Sequence, residues 1–107
     1  MTVLENFVFF KEASKTGESP ALKNIHGSGL ALCVSGTFVG KLAVNGTQAG
    51  VDSQIAVIDL SDFTFKSNIT AAGMYSVPCA YGYEKISVTI SEYTSGAITV
   101  TGRLCEE

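Results

Sequence analysis

The C-terminal part of the chain contains the pattern that most constrains the fold. Over residues 83–104, apolar side chains alternate with mostly hydroxyl-bearing ones in two runs, which residues 94–96 separate. A period of two places successive side chains on opposite faces of a β-strand. Two such runs joined by a short glycine-containing loop predict a β-hairpin. Because an isolated hairpin is only marginally stable in water, the rest of the chain must supply a second layer over its apolar face.

The same alternation identifies candidates for the core. Apolar side chains recur at every second position of the two C-terminal runs, and several recur within an earlier segment over residues 37–44. Such residues are expected to share one face of a strand and to point inward. The predicted core residues are Phe38, Leu42, Ile86, Val88, Ile90, Ile98 and Val100.

Turn signals divide the remaining sequence into short extended segments. Asn45-Gly46 predicts a tight turn, because both residue types tolerate positive φ. Further turns are predicted at Gly36, Gly73 and Gly96. About seven to nine short strands with turn signals roughly every 8–12 residues are typical of an antiparallel sandwich. The sequence therefore predicts an all-β fold, an antiparallel β-sandwich or jelly-roll-like single domain.

An aromatic cluster lies close to the N-terminus. Phe7, Val8, Phe9 and Phe10 are consecutive, and so much apolar surface is costly to leave in water. Residues 1–12 are therefore interpreted either as a first strand or as an arm that docks on a neighbouring subunit. Residues 13–107 form the sandwich in both interpretations. We take the four residues of the cluster as candidate interface residues.

The charge content narrows the range of partners. Charged residues make up 16% of the chain and the formal net charge is −3. That balance gives no electrostatic basis for binding nucleic acid or an anionic membrane, and no apolar run approaches the roughly 18 residues of a membrane span. With abundant glycine, serine and threonine, so low a charge content suits a β-rich domain with many turns, or a subunit that is packed among neighbours.

The cysteines bear on the cellular compartment. Cys33, Cys79 and Cys105 are an odd number at wide spacing, which predicts reduced thiols and not a secreted disulfide framework. The first residues have neither the basic region nor the apolar stretch of a signal peptide. We therefore expect synthesis in the cytoplasm and three free thiols.

No set of residues predicts catalysis or metal binding. His26 is the only histidine, and no nucleophile is identifiable beside it. With the three cysteines it could form a zinc site, but the close CxxC pairing typical of such sites is missing. Asp52, Asp59 and Asp62 lack the dense pattern of oxygen ligands found in calcium loops. No metal, cofactor or catalytic residue is predicted.

The tyrosines allow one binding alternative. Flat aromatic faces stack on sugar rings, so these residues could line a carbohydrate platform. They also suit the boundary between an apolar core and a wet surface. The tyrosines are Tyr75, Tyr81, Tyr83 and Tyr93.

Two segments resemble a known group of proteins. Residues 34–47 (VSGTFVGKLAVNGT) and 71–103 (AAGMYSVPCAYGYEKISVTISEYTSGAITVTGR) are similar to small β-sandwich structural proteins of tailed bacteriophages, of the head-fibre or decoration kind. The shared pattern is an SGTFVG strand, an alanine-glycine-aromatic turn, and YTSG before a TVTGR-like strand. The chain departs from it at residues 48–51, where relatives have Asp-Gly and Trp, and at Lys85 and Ser87, where they have arginine. The family has no catalytic residues to transfer.

The residues and the resemblance together predict a function. We expect a non-enzymatic bacteriophage virion protein, a capsid-decorating or head-fibre/collar subunit. It would form a homo-oligomer, a trimer or another cyclic assembly, and contact other virion proteins. The alternatives are a tail or baseplate subunit, or a carbohydrate-binding module for attachment to a cell surface.

Overall fold

The computed structural model describes residues 2–23, 29–78 and 80–106, and its regular structure is almost entirely β. A short 3-10 helix, Ala80–Gly82, precedes β10. Every strand pair is antiparallel, and the predicted all-β sandwich in a single domain is confirmed. The strands are β1 (Thr2–Ala13), β2 (Gly17–Glu18), β3 (Leu22–Lys23), β4 (Gly29–Ser35), β5 (Phe38–Gln48), β6 (Val51–Ile55), β7 (Val57–Asp59), β8 (Thr64–Lys66), β9 (Gly73–Val77), β10 (Lys85–Gly96) and β11 (Ile98–Glu106).

Two sheets form the layers of the sandwich. Sheet A has six strands in the order β1-β11-β4-β9-β7-β8. Sheet B has the strand order β2-β10-β5-β6, and β3 also pairs with β10. The long strands β10 and β5 form the middle of sheet B, while β11 and β4 lie side by side in sheet A. One apolar core lies between the two layers.

The predicted C-terminal hairpin is wrong, because its two strands belong to different sheets. β10 pairs with β5 in sheet B, and β11 pairs with β1 and β4 in sheet A. The chain crosses from one layer to the other at Gly96 and Ala97. Alternation shows that each strand has an apolar face, but it does not show whether two such faces lie side by side or opposite each other. In the sandwich the two apolar faces lie in different layers, and both contribute to the one core.

A second crossing, from β4 to β5, lies directly against the first. Both contain a glycine with positive φ, 104° at Gly36 and 94° at Gly96. A Cβ at Gly36 would overlap the Ala97 carbonyl oxygen, and one at Gly96 would overlap the Thr37 carbonyl oxygen. The Ala97 N–H donates to that Thr37 oxygen at 3.2 Å. The two predicted turn glycines therefore allow two backbone crossings to touch.

The predicted turn at Asn45-Gly46 is also wrong. Both residues lie inside β5, which is paired on one side with β10 and on the other with β6. The turn falls instead at Ala49 and Gly50, where φ is 52° and 78°. A Cβ at Gly46 would lie 2.5 Å from Cδ1 of the Tyr83 ring, so this glycine is explained by packing. Ladder bonds on both edges outweigh the local turn preference.

Two other predicted positions differ in detail. Gly73 is not a turn residue but the first residue of β9, opposite Val34 of β4. Phe38 begins β5 and is only partly buried, although it packs against the core. The turn before β9 therefore lies at residues 71–72.

The other six predicted core residues are buried, each at most 1% exposed. Phe9, Leu22, Leu30 and Leu32 are among the further buried side chains of the same core. Among the residues that the structure describes, no buried side-chain nitrogen or oxygen lacks a hydrogen-bond partner. The six buried residues that were predicted for the core are Leu42, Ile86, Val88, Ile90, Ile98 and Val100.

The N-terminal segment forms β1, the edge strand of sheet A, and pairs with β11 of the same chain. The rings of Phe7 and Phe9 meet edge to face, with centroids 4.9 Å apart. Gly102 makes room for this pair, because a Cβ there would lie 2.7 Å from Phe9 Cε2. In this structure the segment belongs to the sandwich and does not extend as an arm.

Candidate interaction surface

The predicted N-terminal interface residues differ in their exposure. Phe9 is 2% exposed, and Phe7 and Phe10 are partly buried against the core of their own chain. Val8 is 54% exposed and points to the outward surface of sheet A, which we call face A. Of the four candidates, Val8 therefore offers the most surface to another molecule.

Face A carries few charges. In its two central rows of side chains, Arg103 is the only ionisable group apart from the Cys33 thiol. The first row runs through Asn6, Arg103, Ala31, Ser76, Ile58 and Phe65. The second row runs through Val8, Thr101, Cys33 and Met74. Val8, Met74 and Phe65 are 54%, 47% and 69% exposed, so this face leaves apolar side chains uncovered.

A shallow cleft of about 350 Å³ lies in face A. Ala31, Cys33 and Met74 contribute its apolar wall, while Arg103 and Asn6 lie on the side towards β1. Arg103 Nε donates to Asn6 Oδ1 at 3.1 Å. Arg103 forms no ion pair with any residue in the described part of the chain. The cleft therefore combines an apolar surface with one cation.

The outward surface of sheet B, which we call face B, is mostly polar, although Val39 of β5 is 58% exposed. Asn45 Nδ2 donates to Thr89 Oγ1 at 2.8 Å, and the Thr47 hydroxyl donates to Asp52. Charges of both signs lie in its rows. The rows are Lys23, Lys85, Thr47 and Asp52, then Ser87, Asn45 and Gln54, then Glu18, Thr89 and Ala43.

The hairpin of β7 and β8 ends in a tip, residues 60–63, at the far edge of sheet A. Asp59 Oδ1 accepts from the backbone N–H and the hydroxyl of Ser61, at 2.9 and 2.8 Å. Asp62 Oδ1 accepts from the same two groups of Thr64, at 3.1 and 2.7 Å. Phe63, between them, is 78% exposed and has φ of 57°. The two aspartates thus stabilise a loop that presents an aromatic ring to solvent.

Hydrogen bonds and charges around the tip shift the pKa values of three ionisable side chains. Hydrogen bonds from Ser61 lower the pKa of Asp59, and hydrogen bonds from Thr64 lower the pKa of Asp62. Lys66 Nζ lies 3.4 Å from Asp59 Oδ2 and 3.7 Å from Asp62 Oδ2. Its own pKa is raised by these carboxylates, first of all by the hydrogen bond to Asp59. All three charged forms are therefore favoured in the fold.

The metal-site candidates are not brought together where the structure describes them. His26 and Cys79 lie outside the described residues, and Cys33 and Cys105 are free. Within the described ranges, no three His, Cys, Asp or Glu side chains are grouped as a metal site would require. No helix within those ranges is long and apolar enough to cross a membrane.

The tyrosines do not form a shared platform. Tyr75 is 3% exposed and donates to the Ala71 carbonyl at 2.8 Å, and its burial raises its pKa. Tyr93 donates to the Gly96 carbonyl at 2.6 Å. Tyr83 packs beside Gly46, and Tyr81 is 62% exposed. They serve different parts of the fold.

Sequence reasoning missed Met74, Arg103, Phe63 and Phe65 as surface candidates. One signal was available, because residues 30–34 (LALCV) are continuously apolar. Such a run is typical of a strand that is covered on both faces. In β4 the inward residues are covered by sheet B, while Ala31 and Cys33 point to face A, where no residue in the described part of the chain covers them fully.

Two solved structures share this fold. The SPBc2 prophage-derived protein YomS superposes with a TM-score of 0.83 at 20% identity, over 94% of this chain and 90% of that one. The PBSX exported protein XepA superposes with a TM-score of 0.84 at 24% identity, over 92% of this chain. The match spans only 36% of XepA. No protein-family model matches the sequence, and no curated protein has a significantly similar one.

Proposed function

We propose that this protein is a non-enzymatic structural subunit of a bacteriophage particle, a capsid-decorating or head-fibre/collar subunit that works as a cyclic homo-oligomer. The observation that carries the proposal is face A. It is a sheet surface with one ion-forming side chain, Arg103, in its two central rows, and Val8, Met74 and Phe65 are left exposed. Surfaces with few charges and exposed large apolar side chains are typical of protein contacts.

Phage origin is supported by the two structural neighbours. YomS is described as an SPBc2 prophage-derived protein and XepA as a PBSX exported protein, and the quoted sequence segments resemble phage structural proteins. The fold also suits repeated use on a particle, because identical subunits usually associate in closed symmetric rings. In such a ring, the surface that an isolated subunit exposes is covered in every copy.

The description of XepA favours a second candidate. XepA is called an exported protein, so this chain could instead be a phage-encoded protein that leaves the cell without joining a particle. The same face A would then serve an oligomer in solution. The two candidates differ in where the protein is found, not in how it associates.

Two measurements test the proposal. Mass spectrometry of density-purified particles of the encoding phage is expected to find this chain at a copy number comparable to other structural proteins. Its absence from particles, with the chain present in the surrounding medium, would contradict the virion role and favour the exported candidate. Light scattering of the purified chain is expected to give a multiple of the 11.2 kDa subunit mass. A monomer at micromolar concentration would contradict self-assembly.

A further inference from the structure

We propose that the tip of β7–β8 in one copy docks in the cleft of face A in the next copy, in a head-to-tail contact. This inference rests on the self-association proposed above and specifies its contact. It requires that the tip be shaped for insertion, that the cleft be able to receive an aromatic ring, and that their charges be complementary.

The tip is strained at the residue that would insert. Phe63 has φ of 57°, a left-handed conformation that glycine and asparagine adopt readily and that is a genuine outlier for a bulky residue. Phe63 is 78% exposed, so packing within the chain does not explain the choice of phenylalanine. Strained backbone positions of this kind occur preferentially at functional sites. Asp59 and Asp62 hold the loop through their hydrogen bonds to Ser61 and Thr64.

The cleft has the size and surface that an aromatic side chain requires. Its volume is about 350 Å³, whereas an apolar cavity of about 150 Å³ is enough to bind benzene. Ala31, Cys33 and Met74 supply apolar contacts, and a methionine sulfur against an aromatic ring is favourable. Aromatic anchors in such depressions are common sites of strong binding at protein interfaces.

The charges match. Arg103 is the cation of the cleft, and its remaining guanidinium N–H groups are available after Nε donates to Asn6. At the tip, Asp62 is next in sequence to Phe63, and its side chain is 49% exposed. An inserted Phe63 ring therefore brings an accessible carboxylate towards a cation that has no ion pair within the described residues.

Tip and cleft are different parts of the same sheet. The cleft spans β1, β11, β4 and β9, and the tip joins β7 and β8, next along the sheet, where the Leu60 N–H donates to the Met74 carbonyl at 3.1 Å. When each copy gives its tip to one neighbour and its cleft to another, the contact is heterologous, and repeating it closes a ring or extends a filament. The contact therefore accounts for a cyclic assembly with one interface.

Two variants test the contact, one on each side. Phe63→Asn removes the ring and leaves a residue that suits positive φ, so the fold is not weakened. Arg103→Glu places a carboxylate opposite Asp62. The matched control is Val51→Asn, which removes an exposed apolar side chain (67%) at the turn into β6, in sheet B. Circular dichroism and thermal unfolding measure whether all three variants are folded.

Sedimentation and light scattering supply the readout. Wild type and Val51→Asn are expected to form the same ring of three or more copies, and each contact variant is expected to associate at least about tenfold more weakly. Because each contact variant keeps one intact half, a one-to-one mixture should give a heterodimer of twice the 11.2 kDa subunit mass. Neither variant alone should give that species.

The remaining outcomes distinguish a failure of this contact from a failure of the proposed self-association. A wild-type monomer would overturn self-association and this contact with it. A wild-type ring that Phe63→Asn and Arg103→Glu leave unchanged would overturn the contact alone. A wild-type dimer, or contact variants that stay monomeric when mixed, would overturn the head-to-tail geometry.

Discussion

The two sheets are alike on the surfaces that face each other and different on the surfaces that face outward. Inside, both present fully buried aliphatic side chains, such as Ile90 in sheet B and Ile98 in sheet A. Outside, face B carries paired polar groups, for example Asn45 with Thr89, and one exposed valine, Val39, while face A leaves Val8, Met74 and Phe65 exposed. The requirement to bury a core acts equally on both sheets, so it cannot explain the difference outside. We attribute it to the self-association proposed for face A.

The largest expected effect is a loss of stability, and it tests whether the inner surfaces of both sheets contribute to one core. Ile90→Ala and Ile98→Ala should each lower the free energy of unfolding by about 2–5 kcal/mol, because each leaves a cavity in the shared core. Urea denaturation measures both. Thr89→Ala, outward on β10 beside Ile90, is the matched control and should cost about 1 kcal/mol for its lost hydrogen bond. A change under about 0.5 kcal/mol in either isoleucine variant would show that its sheet does not share the core.

A smaller effect tests the crossings that decide which surface of each sheet faces outward. Gly96→Ala should destabilise by more than about 2 kcal/mol, because it combines positive φ with an overlap against the Thr37 carbonyl. Gly50→Ala is matched in φ, at 78°, but has open space around its Cβ position. It should cost only about 1 kcal/mol. Equal losses in thermal or chemical unfolding would mean that the crossings are not in contact.

The two C-terminal strands show how much of the fold could be predicted from the sequence. The inward set of β10 and β11 was predictable, because alternation is a local property of each strand. Their assignment to different sheets was not, since a hairpin and a crossing between layers have the same pattern. The turn predicted at Asn45-Gly46 was wrong for a related reason. Pairing on both edges of β5 is a long-range interaction that no dipeptide encodes.

The surface was predictable only in part. Val8 was among the predicted interface residues, but the cluster around it was assigned as one unit, and the pleat separates Phe9 from Val8. Arg103 and Met74 come together only through strand register, from opposite ends of a long stretch of chain. The apolar run of β4 was the one local indication of face A.

The smallest effect concerns the tip of sheet A and its dependence on pH. The pKa values of Asp59 and Asp62 are lowered from 3.8 by their hydrogen bonds. Their ionised forms therefore stabilise the folded tip above that pH, and the stabilisation is lost as the pH falls through the lowered folded-state values. NMR titration of the two side-chain carboxyl carbons should give midpoints below 3.8. Midpoints above it would contradict the hydrogen-bonded tip.

Two charge substitutions, one on each outer surface, test the central claim most directly. Met74→Glu places a carboxylate in the middle of face A, and Gln54→Glu places the same group on face B, both on exposed strand positions. Light scattering at matched concentrations gives the mass of each assembly. We predict that Met74→Glu is a folded monomer, while Gln54→Glu keeps the oligomeric mass of the wild-type protein. An unchanged oligomer for Met74→Glu, or dissociation of Gln54→Glu alone, would show that face A is not the surface through which this protein associates.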